Sequence, residues 1–293
     1  MLGRMSPVLA GMGLAALAGL TLCALNVLLR ILATELPPFQ VQFLRYFFGL
    51  LVLLPWMVRD GLAAYRPNGL RGQLWRGVVH ALALYLWFAA MPHIAFADMA
   101  AIGFTSPLFV MIGAVIFLRE KMFWQRWAAA AFGFAGVLVV VAPQMTGAGG
   151  VYPLIMLASA PLFAASFLIA KALTRRDRPE VIVAWQSLTV SLFSLPLALY
   201  VWEEPTLRQW GIVLVCGAMG SLGHWLLTLA FKLADISTAQ PVKFLDLIWA
   251  AALGFLIFAE TPTSSTLLGA AVIFIATSWI ARVEARRGRI KTE

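Results

Sequence analysis

Ten apolar runs, each close to twenty residues long, occupy nearly the whole chain. They fall at about 7–33, 39–58, 74–92, 97–118, 124–143, 151–173, 181–202, 209–232, 237–259 and 264–283. A helix of ~20 apolar residues crosses the hydrocarbon core of a bilayer, and helices satisfy their own backbone hydrogen bonds in lipid. The expected fold is therefore an all-α integral membrane protein with ten transmembrane helices. Of 293 residues, 62% are hydrophobic and 12% charged, whereas a soluble domain averages about 45–50% and about 25%. A soluble enzyme is excluded. The longest stretch between runs, about Arg59 to Gln73, is too short for a receptor domain. The first run exceeds the 7–15-residue core of a signal peptide and reads as a retained helix.

Positive charge orients the spans. Eighteen of the 22 Lys and Arg residues fall on the N-terminal side of the alternating loops, Arg76 and Arg126 counted among them, and only Arg30 and Arg208 on the other. Cytoplasmic loops retain Lys and Arg, so both termini are expected in the cytoplasm. The same retention accounts for the net charge of +9, and no nucleic-acid partner is needed. The expected location is the inner membrane of a bacterial cell, with the bilayer and a small-molecule substrate as partners and a monomer sufficient. Cys23 and Cys216 both lie within apolar runs and form no disulfide framework or metal motif. The G-x-x-x-x-G-K-[ST] phosphate loop is missing, as is any cluster suited to catalysis. No cofactor, metal or catalytic residue is expected.

The two halves of the chain resemble each other. At an offset of 141, Arg30 meets Lys171, Pro38 meets Pro179 and Pro55 meets Pro196; at 137, Ala97-Asp98 meets Ala234-Asp235; at 140, Glu120 meets Glu260. Fixed-spacing self-similarity indicates duplication, here of a five-helix unit, residues 1–146 and 147–293. Five is odd, so the second copy enters from the opposite side. Such inverted-topology repeats underlie many secondary transporters, which alternate access around a midplane site.

With these features the chain resembles the drug/metabolite transporter superfamily and its ten-helix EamA-type members. The resemblance rests on the stretch Pro107 to Glu120, on Gly133-Phe-Ala-Gly136, and on Leu253 to Glu260 in the second copy, where Pro241 is displaced relative to Pro107. It implies a basket of ten helices around a cavity lined mainly by helices 3, 4, 8 and 9. Similar proteins carry amino acids, aromatic ones among them, S-adenosylmethionine, riboflavin and other metabolites.

Candidate cavity residues follow. Pro107 lies within the fourth run and Pro161 within the sixth, where a proline kinks a helix and frees a carbonyl four residues earlier, here Gly103 and Leu157. His80 and His224 are ionisable groups deep in spans, a class that faces the bundle interior or a water-filled cavity; the alternative is a hydrogen-bonded core histidine. Gly217, Gly220, His224 and Thr228 share one face of helix 8. Lys243 and Asp246 are three residues apart, able either to neutralise each other or to hold a zwitterionic substrate. Arg45 is a second anion-binding candidate, with snorkelling to the outer interface as the favoured alternative. Asp98 and Asp235 read as caps at the starts of helices 4 and 9, and Glu120 as a helix-end charge. Phe43, Tyr46, Tyr85, Trp87, Phe88, Phe163, Trp185, Trp225 and Trp249 could build an amphipathic pocket or pack helix interfaces. The expected function is secondary transport by alternating access, with export of amino acids, aromatic ones included, as the leading reading. An importer or exchanger of S-adenosylmethionine or riboflavin is the alternative, and an integral-membrane enzyme a distant one.

Overall fold

Proline marks where the helices begin. Pro7, Pro38, Pro107, Pro153 and Pro179 all lie in the first turn of a helix, where the missing N–H has no partner to lose and φ is already helical. The computed structural model describes residues 6–93, 102–141, 150–258 and 264–290. In chain order the helices are α1 (Pro7–Glu35), α2 (Pro38–Asp60), α3 (Leu70–Ala90), α4 (Ser106–Leu118), α5 (Trp124–Val141), α6 (Tyr152–Leu173), α7 (Pro179–Tyr200), α8 (Leu207–Leu233), α9 (Ile236–Lys243), α10 (Leu245–Phe258) and α11 (Ser264–Ile290). Six helical segments among the described residues are long and apolar enough to cross a membrane: α1, α2, α6, α7, α8 and Ser264–Glu284 of α11. The chain is a multi-pass, all-helical membrane protein. The expected Asp98 and Glu260 lie outside the described residues.

Two expected rods are interrupted. The run 237–259 is two helices, α9 and α10, separated at Phe244. Pro241 removes one internal hydrogen bond and crowds the Ser237 carbonyl, and α9 ends two residues later. In the run 97–118, a turn at 104–105 precedes α4, so Pro107 starts a helix instead of kinking one in mid-span. The expected release of the Gly103 carbonyl by a kink is thereby replaced by a chain break. Phe104 and Phe244, one at each interruption, touch with ring centroids 6.2 Å apart. Gly133 of α5 makes room for the second ring, since an added Cβ there would sit 2.4 Å from Phe244.

The packing follows a duplicated plan. α1 packs on α8 as α6 packs on α3; α2 packs on α8 as α7 packs on α3; α2 meets α7, and α5 meets α11. Exchanging the halves maps these pairings onto one another. Pro55 and Pro196 each sit inside the second helix of a half, on an exposed face. A clasp also recurs: Gln73 Nε2 donates to Asp177 at 2.8 Å, and Gln209 Nε2 to Glu35 at 3.0 Å. In each case an acid preceding one half's second helix holds the start of the other half's third helix.

A charged cluster ties the ends of α4, α5, α8 and α11 together. Arg126 is buried, with Nε 2.8 Å from Glu284 and Nη1 3.3 Å from Asp235, and it also donates to Ser237 at 2.9 Å. Arg119 closes α4 in the left-handed conformation, φ 54°, which turns the chain there. Glu120 then accepts from the Ile236 and Ser237 N–H groups and the Ser237 hydroxyl. The cap at the start of α9 is therefore Glu120, and Asp235, expected to cap, instead turns its carboxylate to Arg126.

Candidate functional site

Glycines on one face of α8 bring its backbone against α2. A Cβ at Gly217 would lie 2.7 Å from the Gly49 nitrogen and the Phe48 carbonyl carbon, and one at Gly220 3.1 Å from Arg45 Nε. Small residues permit such approach between membrane helices. The approach delivers Arg45 of α2 to His224 of α8, whose Nε2 lies 3.3 Å from Arg45 Nη2. A guanidinium has donors only, so His224 accepts. Arg45 is 8% exposed and its Cζ lies 4.4 Å from the Tyr46 ring centroid. It does not snorkel to the interface: the inward-facing register of α2 and the space over Gly220 hold it in the bundle.

Tyr46 continues the chain of contacts. Its hydroxyl is 2.8 Å from His80 Nε2 on α3, and His80 Nδ1 is 3.0 Å from the Ser166 hydroxyl on α6. The His80 and His224 rings meet edge to face at 5.7 Å, and Phe163 flanks His80 at 5.4 Å. Trp87 packs on Phe163 at 6.2 Å and lies over Gly103, where an added Cβ would be 3.3 Å from the indole. One layer thus runs Arg45, His224, Tyr46, His80, Ser166, Phe163 and Trp87. Its position in the middle of long apolar helices sets its energetic weight, because a charge at bilayer depth costs about 2.5–3.5 kcal/mol even on insertion scales.

A second arginine sits beside the layer. Arg76, counted from the sequence as a loop charge, lies inside α3 and is 1% exposed. It donates to the Ile182 carbonyl at 3.1 Å and to Gln186 Oε1 at 2.6 Å. Gln186 stands 141 residues after Arg45, so the corresponding position of the second half serves as the acceptor for a cation from the third helix. Among the described residues, neither Arg45 nor Arg76 forms an ion pair with a carboxylate.

Lys243 and Asp246 form a close pair, Nζ to Oδ2 2.6 Å, across the break between α9 and α10. The two therefore neutralise each other. Cys23 of α1 donates to the Asp246 carbonyl, and Gly19 of α1 leaves room for Asp246 Oδ1, which a Cβ there would meet at 2.0 Å. That oxygen and Trp249 Nε1 are buried without a hydrogen-bond partner among the described residues.

Two aromatics serve other contacts. The Tyr85 hydroxyl donates to the Phe193 carbonyl of α7, with its ring edge on Phe39. Trp225 Nε1 donates to Glu180 at 2.9 Å, anchoring α8 to the first turn of α7. The structure links His224, His80, Phe163, Trp87 and Gly103 in a chain of successive contacts. Pro107 heads α4 just after this group, and Lys243, Asp246 and Trp249 gather at the second break. Sequence reasoning missed Tyr46 as the bridge, Ser166, Gln186 and the burial of Arg76.

A narrow gap of about 10 Å³ is walled by Arg45, Tyr46, Gly49, Ser187, Gly220, Ser221 and His224. Ligand pockets usually run to about 300–1,000 Å³, so these helices must separate to admit a metabolite. A wider apolar cleft, about 170 Å³, opens between Leu50, Met57, Tyr65, Trp185 and Leu188 and lies apart from the buried histidines.

A sequence profile of the EamA-like transporter family matches residues 9–142 and again 151–282. The chain is 36% identical over 276 residues to a riboflavin transporter of Rhizobium johnstonii, covering 93% of this chain and 91% of that one. It is 30% identical over 270 residues to an S-adenosylmethionine uptake transporter of Rickettsia bellii, with 92% of each covered. A pseudopaline exporter of Pseudomonas aeruginosa is 29% identical over 278 residues, 94% of this chain and 96% of that protein. A solved crystal structure superposes with a TM-score of 0.79 at 18% identity, covering 96% of this chain and 98% of the other, a likeness of fold alone. These relatives are transporters and not enzymes, and the integral-membrane enzyme reading falls away. The protein is a multi-pass transporter that belongs to the EamA-like transporter family.

Proposed function

We propose that the protein moves a small metabolite with an aromatic body and polar substituents across the bacterial inner membrane by alternating access. The path runs through the layer where α2, α3, α6 and α8 meet. One observation carries this reading: Arg45, His80 and His224 are buried together at mid-helix beside Tyr46, Phe163 and Trp87. A purely structural helix interface gains only about 1–2 kcal/mol from an interhelical hydrogen bond, less than the about 2.5–3.5 kcal/mol that burying the charge costs. Ten crossings with both termini cytoplasmic, and two inverted halves at 1–146 and 147–293, complete the proposal. The repeated pairing of helices and the two matching clasps support that arrangement.

Two cargo readings fit. A riboflavin-like planar heterocycle is favoured by the name of the 36% identical relative. Export of amino acids, aromatic ones included, is favoured by the Lys243–Asp246 pair with its unpartnered Asp246 Oδ1 beside Trp249. The test is transport by purified protein in liposomes, with labelled riboflavin, S-adenosylmethionine, phenylalanine, tryptophan and threonine, each with and without a pH gradient. Saturable movement of riboflavin or of the aromatic amino acids is the expected result. Movement of threonine alone would overturn the aromatic-cargo reading, movement of S-adenosylmethionine, whose adenine is itself an aromatic heterocycle, would uphold it, and no movement of any of the five would count against it as well.

A further inference from the structure

The geometry points to an oxyanion-binding subsite at Arg45, taking a carboxylate or phosphate group of the cargo. This rests on the central layer being the transport path. Arg45 has five N–H donors, yet its hydrogen bond among the described residues is the single one to the neutral ring nitrogen of His224, and its Nε is buried with no acceptor. Arg76 is a useful contrast. It is just as deep, and its Nε is likewise buried without an acceptor among the described residues, but its two terminal nitrogens are held by the Ile182 carbonyl and Gln186, which fixes it to α7. Arg45 instead lines the narrow gap.

The rest of that gap suits an anion. Gly220 leaves the guanidinium uncrowded, Gly49 leaves room for the hydroxyls of Ser187 and Ser221, and the Ser221 hydroxyl donates to the Gly49 carbonyl at 2.9 Å. Among the described residues no carboxylate lines the gap. The guanidinium lies against the Tyr46 ring, which orients its plane, and a planar fork matches a carboxylate or phosphate through two parallel N–H donors. A buried cation with donors unfilled is stabilised by whatever anion enters. Cargo charge and helix separation are thus coupled: the same group that admits the cargo neutralises Arg45.

The test compares cargo pairs that share a body and differ in the oxyanion. Riboflavin 5′-phosphate is set against riboflavin, and phenylalanine against phenylalaninamide, in proteoliposomes containing the full-length protein. The wild type should move at least one oxyanion-bearing member roughly tenfold faster than the partner that lacks that group, the scale of one charge-assisted hydrogen bond. The pair that responds tells phosphate from carboxylate. Arg45→Gln should abolish the ratio, and Arg45→Lys should keep part of it because the charge remains without the fork. A ratio within one variant cancels a general loss of folded protein. Equal rates for both members of both pairs, or a ratio preserved in Arg45→Gln, would overturn the subsite.

Thermal stabilisation of the purified protein by the same four compounds separates this inference from the transport reading. Charge-selective stabilisation lost in Arg45→Gln, with no movement into liposomes, would uphold the subsite and sink the proposed cargo. Movement without charge preference would do the reverse. Neither stabilisation nor movement would count against both.

Discussion

At the scale of single residues, glycine and histidine determine what Arg45 can do. A Cβ at Gly217 would run into backbone atoms of α2, which cannot move aside as a side chain could, whereas Gly13 and Gly211 face open space. Gly217→Val should therefore lower stability by about 1–3 kcal/mol, the scale of overpacking, while Gly211→Ala, in a helix interior with open space around it, should raise it by up to about 1 kcal/mol. Thermal unfolding followed by tryptophan fluorescence checks the contrast. His224→Ala removes the acceptor from Arg45, and transport in proteoliposomes should fall roughly tenfold for the loss of a hydrogen bond to a charged group. His224→Gln, which restores an acceptor oxygen, should recover part of it. Equal rates for the two variants would show that the acceptor is irrelevant. The shared face of Gly217, Gly220, His224 and Thr228 was legible because helical periodicity fixes it, and Thr228 does donate to the His224 carbonyl. The depth of Arg45 was not legible. Sequence distance from a helix end says that a long side chain can reach the interface, but not whether a neighbouring helix has left a space inside.

At the scale of elements, the two interrupted rods and the charged cluster at one end stand out. Apolar periodicity located both rods, yet it could not show the breaks, since Phe104 and Phe244 are as apolar as their neighbours and only the displaced Pro241 hinted at one. Charge counting treated Arg126 as a loop cation. Its burial follows from Glu284, 158 residues away along the chain, a pairing that no local pattern reveals. Breaking a buried ion pair from one side leaves an uncompensated charge and costs about 3–5 kcal/mol. Arg126→Met should accordingly lower the unfolding temperature more than the double variant Arg126→Met with Glu284→Leu. A double variant no more stable than the single one would show that the pair is not what anchors α5 to α11. Gly136 makes the same interface close, because an added Cβ would stand 2.9 Å from the Gly269 carbonyl.

At the scale of the whole molecule, duplication organises both the packing and the site. Both halves supply the same helix pairings and the same Gln-to-acid clasp, but they do not supply the same chemistry. Arg45 in the first half corresponds at an offset of 141 to Gln186 in the second, so one copy donates the free cation and the other an acceptor that holds Arg76. The ten apolar runs and the repeat made the family legible from sequence, because both are long-range patterns averaged over many residues. The site was only half legible: His80 and His224 stood out as rare ionisable groups, whereas Tyr46 and Ser166 are ordinary residues whose role arises from where three helices cross. The central claim is that this crossing lies on the transport path. It is tested most directly by placing a single cysteine at Ser221, beside Arg45 and His224, in a protein with Cys23 and Cys216 replaced, and labelling it with a membrane-impermeant thiol reagent from each side of oriented vesicles. The account predicts labelling from both sides, slowed by transported cargo. A thiol that no reagent reaches from either side, in protein that still transports, would contradict it.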